Sequence, residues 1–250
     1  EIIENCHIQC ARADGGGKVI RLECAGACRE IAFDEMLLAA GRVPAVNTLN
    51  LEAAGVNYDS QTGIGVDDQL RTSNHRIFAA GDVCSAYKFT HLADAMARIV
   101  IRNALFYGHE KVSALTIPWC TYTDPEVAHV GLYEHEAQRR GITVQTFTQS
   151  LAEVDRAVLD DETEGFLKIH VRQRTDVIVG ATLVARHAGE IISELTLAIA
   201  AEIGLTTIAR TIHPYPTQAE VIRKIADAYN RTRLTPRVHW LLRKWLKWMR

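Results

Sequence analysis

Residues 211–220, TIHPYPTQAE, gather more chemistry than a connector of this length needs. His213 offers an imidazole, Tyr215 a phenol, and Glu220, at Tyr215+5, a carboxylate. Pro214 and Pro216 bracket the tyrosine, while helical sequence runs up to the segment and away from it. Prolines stop helices and fix loop backbone, and connectors that carry unusual residues tend to be functional. An imidazole suits proton transfer near neutral pH; a phenol, with an ordinary pKa of about 10, is a poor proton shuttle there. The competing reading packs Tyr215 and uses Thr217 to cap a helix starting near Gln218, with Glu220 third in a capping box.

Two apolar runs, Met36–Ala40 and Ile77–Ala80, end in glycine, at Gly41 and at Gly81, which Asp82 follows. Both are expected to be short buried strands, the form needed where backbone comes close to a ligand at a strand's C-terminal end. Gly15-Gly16-Gly17-Lys18 lacks the GxxxxGK[ST] spacing of a phosphate loop and is expected to turn a hairpin between ENCHIQCARAD and KVIRLECA. The six cysteines show no CxxC or CxxxxC. Cys6 and Cys10, like Cys24 and Cys28, are spaced more widely than structural zinc pairs usually are, so no metal site is expected. They read as reduced thiols, which favours the cytoplasm.

The elements that must hold these residues follow from periodicity. A helix is expected from about Leu92 to Tyr107, with Leu92, Met96, Ile99 and Val100 apolar. Ile117-Pro118 reads as a domain boundary. Beyond it VAHVGL, ITVQTFTQ, GFLKIHV and VIVGATLVA are expected strands, with Leu167, Ile169 and Val171 alternating. HEAQRRG is a short helix closed by Gly141, and 188–203 a helix with Ile191, Leu195, Ala198 and Ile199 on one face. Strands followed by helices suggest an α+β layer distinct from the first segment. The tail RLTPRVHWLLRKWLKWMR sets Val238, Leu241, Leu242, Trp245, Trp248 and Met249 on one helical face. Arg243, Lys244, Lys247 and Arg250 lie mostly away from it. That pattern fits a helix on an anionic bilayer surface or a terminal helix packing its tryptophans on protein.

A chain of 250 residues with 48% hydrophobic content fits one or two domains. A net charge of −2 with mixed signs argues against nucleic acid. No run approaches 18 apolar residues, so no transmembrane helix is expected. The N-terminus EIIENCHIQC has neither the basic region nor the apolar run of a signal peptide, and it lacks Met. The chain reads as the back part of something longer.

Four motifs, LLAAGRVP, TSNHRIFAAGDV, YTDPEVAHVGL and HPYPTQAE, stand in an order and rough spacing that resembles the pyridine nucleotide-disulfide oxidoreductases. These are the flavoproteins that include dihydrolipoamide dehydrogenase, glutathione reductase and mercuric reductase. The resemblance covers residues 1 to about 232. It implies α/β dinucleotide-binding remnants followed by an α+β interface domain. Residues 1–37 would end the NAD(P)H-binding domain, 38–115 would be the second half of the FAD domain, and 116–232 the dimerisation domain of a homodimer, with 233–250 a basic tail outside the pattern. Asp82 matches an aspartate that accepts a hydrogen bond from an FAD ribityl hydroxyl. Leu92 and Ala93 match positions whose backbone N–H groups face the flavin. Gly41, Arg42, Gly81, Asp82, Leu92 and Ala93 are thus the candidate cofactor contacts. The two GxGxxG motifs and the redox-active CxxxxC of the family do not occur in this chain, so alone it is not expected to catalyse hydride transfer.

In disulfide reductases the connector reads HPT, and a glutamate five residues after the histidine orients it as the acid-base of the partner subunit's thiolates. Here Tyr215 holds the histidine's place and Glu220 the glutamate's, with His213 two residues early. Mercuric reductases carry a tyrosine at the position of Tyr215, near thiolate-held Hg(II). A metal ion leaving thiolates for flavin electrons needs no proton delivered to sulfur. The candidate catalytic residues are therefore Tyr215, Glu220 and His213, and the expected substrate is a thiol-bound metal ion or small redox acceptor. The chain departs from mercuric reductases in PYPT for PYLT and in a C-terminus, WLKWMR, without a cysteine pair, which argues against mercury detoxification proper. Two functions stand. One is the C-terminal part of an FAD- and NAD(P)H-dependent oxidoreductase, cytoplasmic and peripheral at the inner membrane face. The other is a non-catalytic dimerisation module with membrane-surface affinity through its tail.

Overall fold

The computed structural model describes residues 1–249 and divides into two units, Glu1–Val43 and the rest from Pro44 onward. The first unit is a three-stranded antiparallel meander of β1 (Cys6–Asp14), β2 (Gly17–Cys24) and β3 (Ala27–Phe33). Asp14 pairs with Gly17, so the glycine run makes the hairpin turn as its composition predicts. Ala25 and Gly26, both at positive φ, make the second two-residue turn. Two expectations fail here. Cys6 and Cys24 are not free thiols: they pair directly across β1 and β2, Cα atoms 4.3 Å apart, and form a disulfide. Cross-strand register brings them together, which intervals along the chain do not reveal. Met36–Ala40 is an exposed irregular segment rather than a buried strand. An apolar run becomes a strand only where another strand gives it a ladder, and no described residue pairs with it.

In the second unit, residues 44–117 hold two small apolar clusters, one around Val46, Leu51 and Val56, the other around Leu70 and helix α1 (Thr90–Leu105). Leu92, Met96 and Ile99 of α1 face inward, on the stripe read from the sequence. The first cluster also takes in the two-residue strands β4 (Tyr58–Asp59) and β5 (Gly63–Ile64), through Tyr58 and Ile64. Ile77–Ala80 is a correction too: Phe78 makes one isolated bridge with Arg71, and Ala79 N–H donates to the Leu70 carbonyl, so the run is extended without belonging to a sheet.

Beyond residue 117 lies a five-stranded antiparallel sheet in the order β6 (Trp119–Thr121), β7 (Glu126–Gly131), β10 (Ile178–Ala185), β9 (Phe166–Arg172), β8 (Val144–Ser150). Strands β7 to β10 fall on the four runs read as strands; the three-residue β6 is too short to show a period. Helix α2 (Glu134–Arg139) follows β7, with Glu136 accepting from the Tyr133 N–H, and Gly141 at φ +70° closes it. Short α3 (Asp155–Leu159) follows β8. Helix α4 (Ala188–Ala200) packs on β7 and β10, while α5 (Leu205–Ile208) and α6 (Glu220–Thr232) pack together, α6 also against β8 and β9. Their apolar faces share one core with Leu167, Ile169, Val171, Leu183 and Leu195. At Gly180 a Cβ would lie 1.9 Å from the Leu132 carbonyl oxygen, so β7 and β10 close only around a glycine.

The α6 start departs from expectation. The helix begins at Glu220, and Thr217 does not cap it: its hydroxyl donates back to the Pro214 carbonyl. The cis Tyr215-Pro216 bond lies in this turn, and Ala219, the residue that precedes the helix, supplies no side-chain cap. The tail is helix α7 (Pro236–Trp248), with Thr235 accepting from Val238 N–H, and none of its residues is buried. Arg250, one of the expected basic residues, lies outside the described residues.

Candidate functional site

The connector joins α5 to α6 and gathers the three residues singled out above around one shallow depression, which Ile212 and Arg223 also line. Each has a distinct partner. Tyr215 is 69% exposed, and its hydroxyl donates to Asp155 Oδ2 at 2.9 Å, at the first residue of α3. That bond, reinforced by the Asp155 charge, pushes the phenol's pKa above its ordinary value. His213 is buried at its side chain, with Nε2 2.9 Å from Glu194 Oε1 on α4 and Nδ1 3.1 Å from the Thr211 carbonyl. Both ring nitrogens thus face acceptors. Glu220 is buried, its Oε1 2.6 Å from Arg223 Nη2, and its Oε2 has no hydrogen-bond partner among the described residues.

So Glu220 bonds neither Tyr215 nor His213. A histidine–carboxylate pair is present, but it joins His213 to Glu194. Sequence reading missed Asp155 and Glu194 because they enter from α3 and α4, 60 and 19 residues away, with no local motif.

A second group lies at residues 81–93. Gly81 opens a single 3₁₀ turn, Gly81–Val83, at φ +80°, and a Cβ there would sit 2.9 Å from the Ala93 Cβ in the first turn of α1. Conformation and close approach both require glycine. Asp82 follows in the same turn, and Lys88 Nζ donates to the Asp82 and Ser85 carbonyls, tying the loop together. Phe89 precedes α1 and supplies no side-chain cap to the opening amides of this 16-residue helix. Leu92 turns its side chain into the core, leaving its backbone as the group that could meet a ligand, while Ala93 packs beside Gly81. Tyr87, Phe89 and His91 stack on one another over the approach to the helix. Burial pushes the Cys84 thiol up to about 11, so it stays protonated at neutral pH. Gly41 and Arg42 lie at the end of the first unit, both exposed, with Gly41 at φ +107°.

Among the described residues no group of three or more His, Cys, Asp or Glu converges to hold a metal ion, and no helix is long and apolar enough to cross a membrane.

The chain is 37% identical over 210 residues to a mercuric reductase of Bacillus cereus, covering 84% of this chain and 33% of that protein. It is 34% identical over 228 residues to a dihydrolipoyl dehydrogenase of Geobacillus stearothermophilus, covering 91% of this chain and 48% of that protein. Among solved structures it resembles LpdA from Mycobacterium tuberculosis with a TM-score of 0.83 at 26% identity, covering 90% of this chain and 48% of LpdA. The chain therefore spans between a third and about half the length of these relatives. Residues 2–97 match the pyridine nucleotide-disulphide oxidoreductase family model, and residues 117–226 match the family's dimerisation domain. With both matches covering most of its length, the chain belongs to the pyridine nucleotide-disulphide oxidoreductase family.

Proposed function

We propose that this chain is the C-terminal part of an FAD-dependent NAD(P)H oxidoreductase, nearer mercuric reductase than glutathione reductase, contributing flavin contacts and the homodimer interface. In this reading residues 1–37 close the NAD(P)H domain, 38–115 complete the FAD domain and 116–232 dimerise. FAD, when bound, supplies the hydride and electron chemistry. The residues at 81–93 suit it: a tight glycine turn at Gly81, a carboxylate at Asp82 for a ribityl hydroxyl, and the opening amides of α1 up to Leu92 for the electron-rich flavin edge, beside Ala93, whose own N–H donates to the Phe89 carbonyl. Gly41, at φ +107°, and the cation Arg42, at the end of the first unit, are the other residues read as cofactor contacts.

The observation that carries the metal-directed reading is the connector. It offers an exposed phenol at its tip, while the imidazole two residues earlier is buried against Glu194. Tyr215 can contact a substrate but, with its ionisation pushed up, does not shuttle protons to thiolates at neutral pH. A thiol-bound metal ion fits that tip better than an ordinary disulfide. The test is NAD(P)H oxidation by the FAD-loaded oxidoreductase with Hg(II)–thiolate complexes, glutathione disulfide and lipoamide as acceptors. Turnover with the metal complex that drops in Tyr215→Phe is expected. Turnover with the disulfides alone, indifferent to Tyr215→Phe, sinks the reading.

A second role concerns the tail. Helix α7 exposes Trp240, Leu241, Trp245 and Trp248 beside Arg243, Lys244 and Lys247, with no acidic residue in the helix. Lys244 Nζ lies over the Trp240 ring, 4.0 Å from its centroid. Exposed tryptophans among unbalanced cations support a peripheral contact of 233–250 with an anionic membrane surface, at the cytoplasmic face.

A further inference from the structure

The tyrosine at the connector tip does not turn to the carboxylate five residues on. Its hydroxyl donates to Asp155 Oδ2, although Glu220 lines the same depression and contributes, more weakly, to pushing its ionisation up. Glu220 Oε1 faces Arg223, which also reaches Asp227 at 3.4 Å. His213 has Glu194 and the Thr211 carbonyl at its two nitrogens. The charged groups around the phenol are thus Asp155 from α3, Glu220 and Arg223 from α6, Arg210 from the connector side of α5, and the His213–Glu194 pair reaching back to α4.

A phenol oxygen carries one proton and two lone pairs. With the proton directed at Asp155, the oxygen offers the depression acceptor capacity alone. Such an oxygen attracts a cation or a hydrogen-bond donor and has nothing to give a thiolate. The rim itself carries Glu220 against Arg223 and Arg210, so the preference rests on the phenol oxygen and on Asp155 behind it.

Resting on the reading of Tyr215 as a substrate contact, we propose that Asp155 is the positioning residue of Tyr215, accepting its hydroxyl hydrogen bond so that the still-protonated oxygen faces a thiol-bound metal cation as a neutral ligand. Glu220, despite its place in the sequence, does not serve this purpose. The bond to Asp155 also keeps the phenol protonated over a wider pH range.

Two measurements test this separately from the substrate reading. The first uses the purified chain. Phenolate absorbance is titrated with pH, and the wild-type curve minus that of Tyr215→Phe isolates Tyr215. Asp155→Asn is expected to move the Tyr215 midpoint down towards the ordinary tyrosine value of about 10. Glu220→Gln should move it less, and Asp155→Glu should restore it in part. A midpoint that Asp155→Asn leaves unmoved in a chain with unchanged circular dichroism, or that Glu220→Gln moves more, overturns the proposal. The second uses the FAD-loaded oxidoreductase with a Hg(II)–thiolate acceptor. Asp155→Asn should shift the alkaline limb of the kcat profile to lower pH, and Tyr215→Phe should remove that limb. If Asp155→Asn moves the titration while Tyr215→Phe turns over as wild type, Asp155 still positions the phenol, and what fails is the reading of Tyr215 as a substrate contact.

Discussion

Tyr215 and His213 stand two residues apart, yet each answers to its own carboxylate, Asp155 and Glu194. The residue types on the connector were legible from the sequence because prolines, an imidazole and a phenol are conspicuous in so short a segment. Their partners were not, since a carboxylate on α3 or α4 looks like any exposed acid until packing brings it across. Glu220 shows the converse. Its place five residues after the tyrosine suggested an orienting role, but burial committed it to Arg223. A buried carboxylate that loses its charged partner retains the cost of its lost hydration. Arg223→Ala should therefore lower unfolding free energy by about 2 kcal/mol, discounted because the guanidinium is itself partly exposed. Adding Glu220→Gln to Arg223→Ala should recover part of that loss, because it removes the unpaired charge. Urea denaturation of the two variants checks both signs, and equal loss in both would show that the ion pair contributes nothing specific.

Among the elements, those with a ladder partner or an apolar stripe were the readable ones. Strand β9 alternates Leu167, Ile169 and Val171 into the core, and α1 repeats Leu92, Met96 and Ile99. Met36–Ala40 is exposed and unpaired, whereas Ile77–Ala80 packs on the two small clusters as expected but without a sheet ladder, so apolar composition tracked burial in one run and a strand in neither. The sheet also buries two histidines: His170 on β9 is as buried as its neighbours, and His129 on β7 is stacked on Tyr133 with ring centroids 3.8 Å apart. His129 bonds Thr182 and the Gly131 carbonyl, and His170 bonds Thr146. Burial pushes the pKa of both imidazoles down, with Glu136 and Glu134 opposing it and Lys168 adding to it at His170. The folded sheet therefore favours neutral rings, and the unfolded chain takes up protons first as pH falls through the ordinary histidine value of about 6.5. The stability these rings contribute should be complete above that value and lost progressively below it. Urea midpoints measured from about pH 8 to about pH 5 should fall on the acid side. The fall should be shallower in the His129→Gln, His170→Gln double variant, whatever that variant's stability at high pH. An identical slope in the double variant would assign the acid sensitivity to carboxylates instead.

At the scale of the whole molecule, the tail is where sequence pattern and structure agree on form and leave purpose to the surroundings. Helix α7 has the proline at its start, the Thr235 cap and the amphipathic stripe of a stable helix, yet it buries none of its side chains on the rest of the chain. Isolated helices of this length are marginal in water, so its apolar face gains most from a surface that α7 does not find among the described residues. Removing residues 233–250 should leave the thermal midpoint of the remaining chain within about 2 °C, because little core packing is lost. The dimerisation match ends at residue 226, so the mass from sedimentation should change only by the tail. Binding to vesicles rich in anionic lipid should disappear with the tail, and in the intact chain it should weaken as salt rises, since cations such as Arg243, Lys244 and Lys247 are screened. Trp245→Ser with Trp248→Ser should weaken it at every salt concentration, through lost apolar insertion rather than lost charge. Flotation of the truncated chain with anionic vesicles at the level of the intact one would remove the membrane role. A thermal midpoint that falls by several degrees on truncation would show instead that the helix packs on its own protein in solution.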